Sequence, residues 1–248
     1  MKKPKQNKKI EQKGPMRAKK LPDGSLLVAR DDGKGNIQLD KMKIPPLRLP
    51  KGEFCDNDHA VSHDYYDILE RGYSYIRIKK EMLKLIERDP DFYDPYIVVA
   101  DILESELKNR EAQKYYEEGY RRAKNYLQKH AGGMPAKMEW GFLENRHLMR
   151  IFAHYAYSNW KYGGGKNESL EIFRWLLKAN PNDNQGVRYD ILALRESLKW
   201  NWREKYEAWD GNVLLGLDPR QMDAWFDRES KKYPDEFNDF WKYADSLE

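Results

Sequence analysis

The stretch from Trp140 to Tyr189 constrains the fold most, because two apolar stripes of helical period flank three consecutive glycines. Leu148, Phe152, Tyr155, Ala156 and Trp160 recur at helical spacing, which places them on one face of a helix. Gly163, Gly164 and Gly165 end it. A second helix is predicted from Asn167 or Ser169, with Leu170, Phe173, Leu176 and Leu177 on one face. It stops before Pro181, whose ring cannot continue a helix. Two such helices joined by a short break make an αα-hairpin.

The pattern recurs upstream. Asp94 to Leu107 predicts a first helix with Tyr96, Val99, Ala100 and Leu103 inward, and Asn109 to Asn125 a second with Ala112, Tyr116, Gly119 and Ala123. Superposing the copies pairs Tyr96 with Ala153, Ala112 with Ser169, Tyr116 with Phe173 and Gly119 with Leu176. A small, an aromatic and a small residue on the second helix, closed by Pro90 or Pro181, resemble the tetratricopeptide repeat. That repeat has a period of about 34 residues, and here an insertion lengthens the spacing. The segments Trp140-Gly-Phe-Leu-Glu-Asn-Arg146 and Asn180-Pro-Asn-Asp-Asn-Gln-Gly-Val-Arg-Tyr189 add a narrower resemblance, to bacterial tetratricopeptide-like proteins in which similar segments bracket one helical hairpin. The resemblance implies a fold and no activity.

The expected fold is therefore all-α, a right-handed solenoid of tetratricopeptide-like hairpins with a small N-terminal β-hairpin and a disordered basic tail. Residues 1–20 are assigned to the tail, 21–52 to the β-hairpin and a Pro-rich connector, and 53–248 to the helical domain. In the tail, nine Lys or Arg face one Glu, a net +8 against +4 for the whole chain, so the remainder carries −4. A basic patch on the fold itself would mark a nucleic-acid reader. A basic tail on a mildly acidic body suggests either a solubilising segment or a weak contact with nucleic acid or an anionic surface. Ser25-Leu-Leu-Val-Ala-Arg30 and Asn36-Ile-Gln-Leu39 flank a turn-rich Asp31-Asp-Gly-Lys-Gly35 and predict the β-hairpin. Pro45, Pro46 and Pro50 follow.

Tyr65 to Arg88 reads as one long helix or a hairpin broken near Gly72. Pro219 opens a further helix after Asp218, Pro234 ends it, and Asp235 to Leu247 forms the last one. Trp140 to Leu247 is expected to be essentially all helical, with Trp200, Trp202, Tyr206 and Trp209 in its core.

One cysteine, Cys55, excludes an internal disulfide and suits a reducing cytosol. No apolar run reaches the roughly 20 residues of a membrane span, and the N-terminus has no apolar core after its lysines. The expected location is cytoplasmic, away from membranes. Signatures of chemistry are scarce. Gly165-Lys166 is followed by Asn167, and Trp160 stands where a P-loop needs its first glycine. Glu144-x-x-His147 has di-iron spacing without a second copy. Cys55, His59 and His63 are each four apart and would share a helical face as ligands for zinc or nickel. The plainer reading makes Asp56 or Asp58 a helix cap and the histidines exposed residues of the first turn. No catalytic residue and no cofactor is expected.

The leading functional reading is a module that binds a protein or peptide in the concave groove of the stack. By analogy with the tetratricopeptide repeat, Asp101, Glu104, His154, Tyr155, Ser158, Lys161, Arg188 and Arg195 line that groove. The alternatives are a metal-dependent protein using Cys55, His59 and His63, and a nucleic-acid accessory acting through its tail. A polar bracket is also expected, in which Glu144, Asn145, Arg146 and Arg150 meet Asn182, Asp183, Asn184, Gln185 and Arg188. There Glu144 would pair with Arg146, Arg150 or Arg188, and Asn184 would cap the following helix.

Overall fold

The computed structural model describes residues 17–20, 26–31, 37–42 and 49–246. The chain divides into two units, Met1–Arg48 and Leu49–Glu248. In the first, β1 (Arg17–Lys20), β2 (Leu26–Asp31) and β3 (Ile37–Met42) form an antiparallel sheet in that order. The expected hairpin is β2 with β3, in a register that sets Leu26 opposite Met42 and Asp31 opposite Ile37. β1 corrects the reading of residues 1–20 as a wholly disordered tail. Arg17 to Lys20 pair with Ala29 to Leu26, so a polar segment gains a ladder that composition does not reveal. Residues 1–16, most of the hairpin turn, Pro45 and Pro46 lie outside the described residues.

The second unit is mostly helical. Its helices are α1 (Val61–Glu70), α2 (Tyr75–Arg88), α3 (Asp94–Ser105), α4 (Asn109–Ala131), α5 (Arg146–Ser158), α6 (Lys166–Ala179), α7 (Val187–Arg195), α8 (Pro219–Glu229) and α9 (Pro234–Asp245). Of the two readings of Tyr65 to Arg88, the broken one holds, with Gly72 lying between α1 and α2. From α1 to α8 each helix packs on the next in sequence, and α3 also packs on α5. α5 continues into one π-helical turn, Asn159–Gly163, before α6 reverses direction.

The residues of the sequence superposition are buried on both second helices, Ala112, Tyr116 and Gly119 in α4 and Ser169, Phe173 and Leu176 in α6. Small side chains let helices approach. A Cβ on Gly119 would lie 2.7 Å from Ile151 Cδ1 and 3.3 Å from Tyr96 Cβ, so α3, α4 and α5 meet closely only because that side chain is absent. Ser169 donates its hydroxyl to the carbonyl of Ala156 at 2.8 Å, which satisfies a small polar group inside the α5–α6 contact.

After α7 the expectation of continuous helix fails. A 3₁₀ segment, Trp202–Tyr206, leads into a hairpin of β4 (Glu207–Asp210) and β5 (Val213–Leu217). Its two-residue turn places Gly211 at φ 58°, the first position where a II′ hairpin turn requires glycine. Trp202, Tyr206 and Trp225 are buried together, with ring centroids 4.9 to 5.9 Å apart. Trp200 and Trp209 are exposed, so the aromatic run divides between core and surface. α8 begins as predicted, with the Asp218 carboxylate accepting from the backbone N–H groups of Arg220 and Gln221.

Candidate functional site

A buried polar centre forms where the segment before α1 meets the starts of α3 and α5. Asp56 sits at its middle, 6% exposed. Its Oδ2 accepts from His147 Nε2 at 2.8 Å and His59 Nε2 at 3.2 Å. Its Oδ1 accepts from the Tyr126 hydroxyl at 2.6 Å and the Asn57 N–H at 2.8 Å. Asn145, fully buried, accepts from the Asp56 N–H and donates to the carbonyls of Phe54 and Glu139. His59 also donates through Nδ1 to Asp89 at 2.7 Å.

Burial works against the charge on Asp56, but the donors from His147, His59 and Tyr126 outweigh it and hold the carboxyl well below its usual range. Burial likewise disfavours the His59 cation. Hydrogen bonds to Asp56 and Asp89 reverse that and raise His59 to about 9. At neutral pH these bonds favour the imidazolium form of His59, which bridges two carboxylates.

Asp56, His59 and His147 bring one carboxylate and two imidazoles within 4.8 Å of one another, the donor set of a divalent-metal site. The protons argue otherwise. The Tyr93 N–H donates to His147 Nδ1 at 3.2 Å, so Nδ1 offers its lone pair there and Nε2 carries the proton given to Asp56. A metal on that Nε2 would force a proton onto Nδ1, facing the Tyr93 N–H. The donors fit a proton-held tie better than a metal. The set expected from sequence does not assemble. His63 is exposed, and Cys55 donates weakly to the Asp56 carbonyl. Burial, reinforced by nearby Glu144 and Asp56, pushes the Cys55 thiol up to about 11. Nor does Asp56 or Asp58 cap α1, whose cap position is Ala60 with no side-chain bond.

The segments that carry the bracket touch at Trp140 and Asn180, but of the named bracket residues only Gln185 reaches across, to a backbone carbonyl. Asn180 Oδ1 accepts from the Trp140 N–H at 3.2 Å, the Met138 N–H donates to the Ala179 carbonyl at 2.9 Å, and Gln185 reaches the Met149 carbonyl at 3.3 Å. The specific pairing fails, since among the described residues Glu144 makes no ion pair. Arg146 donates to the Trp140 carbonyl, Arg150 clasps Asp94, and Arg188 holds Asp183 and Asp223. Gly186 holds the cap position of α7, and the Asp183 carboxylate three residues before it accepts from the Val187 and Arg188 N–H groups. Asn184 instead accepts from Asn180, and Asn182 from the Tyr243 hydroxyl.

The predicted groove residues separate into three places. Asp101, Glu104, His154 and Lys161 lie on one face of α3, α5 and the π-helical turn after it, in the pairs Asp101–His154 at 3.9 Å and Glu104–Lys161 at 2.9 Å. Asp94 and Arg150 extend that row at 2.7 Å. Tyr155 points elsewhere, stacked on Tyr120 of α4 with centroids 4.0 Å apart, and Ser158 is buried. Arg188 and Arg195 tie α7 to α8 and α9 through Asp223 and through Asp235 and Glu236.

Sequence reading passed over Asp56, Asp89, Tyr93, Tyr126 and His147 as a set, because its bonds join residues up to 91 positions apart. The local signals were Asp56 and His59, three residues apart, and His147 in the Glu144-x-x-His147 spacing, which the sequence does not connect. No protein-family model matches the chain, and no curated protein matches it.

Proposed function

We propose that the helical unit is a tetratricopeptide-like stack of αα-hairpins serving as a protein-interaction module, with an extended peptide of the partner lying along the α3–α5 face. The observation that carries this reading is the half-open polar and aromatic row on that face. Lys161 pairs with Glu104, and its ammonium lies 4.6 Å from the ring centroid of Tyr162 and 4.8 Å from that of Trp200. Trp200 is 44% exposed. Charges of both signs beside an accessible indole suit a peptide that carries an acidic side chain next to an apolar or aromatic one. The buried Asp56 centre gives that face its footing, since it fixes the starts of both α3 and α5.

Peptide-display selection against the chain, followed by calorimetry, tests the reading. Selected peptides should lose about tenfold or more in affinity on Lys161→Ala or Trp200→Ala, the equivalent of about 1.4 kcal/mol. Lys114→Ala, exposed on α4, should leave them unchanged. Equal binding by a Lys161→Ala, Trp200→Ala double variant would remove the α3–α5 face as the site.

A further inference from the structure

A cavity of about 340 Å³ lies between α6, α7 and α9. Helical spacing builds its walls. Arg174, Leu177 and Lys178 stand on one stripe of α6, and Glu236, Asp239 and Phe240 on one stripe of α9. The two walls are tied to each other at both ends. At one end Arg174 Nε donates to Glu236 Oε2 at 2.9 Å, and Arg195 of α7 donates to Asp235 at 3.0 Å. At the other the Tyr243 hydroxyl donates to Asn182 Oδ1 at 2.8 Å. Glu236 and Tyr243 stand about 10 Å apart along α9, at the helical rise per residue. The result is a short slot whose volume falls in the range of small-molecule sites. An extended peptide would have to run past one of the ties.

The floor of the slot is apolar, formed by Leu177, Ile191, Pro181 and Phe240, the first two buried. Its charges divide into spent and unspent. Arg174, Arg195, Asp235 and Glu236 neutralise one another at the first tie. Lys178 on the α6 rim makes no ion pair among the described residues. Asp239 on the α9 rim holds only Lys242, at 3.3 Å and three residues on, an exposed surface pair of the kind that contributes little. Lys178 and Asp239 line the same mouth without pairing with each other. The mouth therefore offers an unpaired ammonium and a weakly held carboxylate above an apolar floor.

We propose that this slot binds a free amino acid with a large apolar side chain, its side chain on the floor, its carboxylate on Lys178 and its ammonium on Asp239. Charge complementarity selects this occupant. A zwitterion meets both rim charges at once, whereas an apolar acid leaves Asp239 unmatched and an apolar amine leaves Lys178 unmatched. Phe240 adds a ring against which an aromatic side chain can pack. None of these residues belongs to the α3–α5 face, so the slot is independent of the peptide site.

Calorimetric titration of the full chain with L-phenylalanine, 3-phenylpropionate, phenethylamine and glycine tests the proposal. L-phenylalanine should bind saturably, at least tenfold more tightly than either analogue, and glycine, which has both charges and no side chain, should not bind. Lys178→Gln should weaken L-phenylalanine tenfold or more and leave phenethylamine unchanged. Asp239→Asn should weaken it equally and leave 3-phenylpropionate unchanged. Both side chains are exposed, and circular dichroism should report wild-type helix for both variants. The proposal is overturned if L-phenylalanine and L-leucine show no saturable binding up to their solubility. It is also overturned if either analogue binds as tightly as L-phenylalanine, or if binding survives the Lys178→Gln, Asp239→Asn double variant.

Discussion

His59 is held between Asp56 and Asp89, and its protonation is linked to folding through both. Its folded pKa, about 9, lies above the ordinary histidine value, so its contribution to stability is fully present below about pH 6.5 and is lost as pH rises through 9. The linked free energy is on the order of 3 kcal/mol. Asp56 behaves oppositely, and its contribution disappears as pH falls below the usual carboxylate range. Urea denaturation should show wild type losing stability relative to His59→Gln between pH 7 and about 10. Parallel curves would mean that the imidazolium bridge is absent in solution. At Gly119 the issue is space. Gly119→Ala should destabilise by about 1–3 kcal/mol despite the higher helix propensity of alanine, because the added methyl meets Ile151. Combining it with Ile151→Val should recover part of the loss, and simple additivity would refute the contact.

At the scale of elements, α3 to α7 were legible because their information is local. Apolar residues at helical spacing, Pro90 and Pro181 as stops and three glycines between α5 and α6 sufficed. Phe173→Ala should cost about 3–5 kcal/mol, since Phe173 is fully buried. A denaturation midpoint near wild type would show that α6 does not pack as described. The β4–β5 hairpin was missed although Gly211-Asn212 between Trp209-Asp210 and Val213-Leu214 is a hairpin signal. The density of tryptophan and tyrosine was read as helix core instead. The bracket shows another limit. Its named residues were expected to meet, yet only Gln185 crosses, and Asp183 rather than Asn184 accepts from the α7 N-terminus, its carboxylate serving Arg188 as well. Burial raises Asp183 to about 6 although Arg188 opposes the rise. Arg188→Ala should therefore cost about 3 kcal/mol at neutral pH, the low end for breaking a buried pair. The loss should shrink toward pH 5, where a protonated Asp183 no longer needs the guanidinium. An equal loss at both pH values would show that the pairing charge is not what Arg188 contributes.

Across the whole molecule, long-range polar bonds position what local patterns build. Asp56, Asn145 and His147 pin the segment before α1 to α5 across about ninety residues, and no spacing rule connects them. The same distance hid the separation of the predicted groove residues, because which helix face each one occupies depends on packing. Among the described residues no helix is long and apolar enough to cross a membrane. The proposed role rests on one face, and hydrogen exchange of the full chain with and without a selected peptide reads that face directly. The α3–α5 reading predicts slowed exchange in α3, α5 and the turn bearing Lys161. Protection confined to the β4–β5 hairpin or to α8 and α9, with α3 and α5 unchanged, would contradict it.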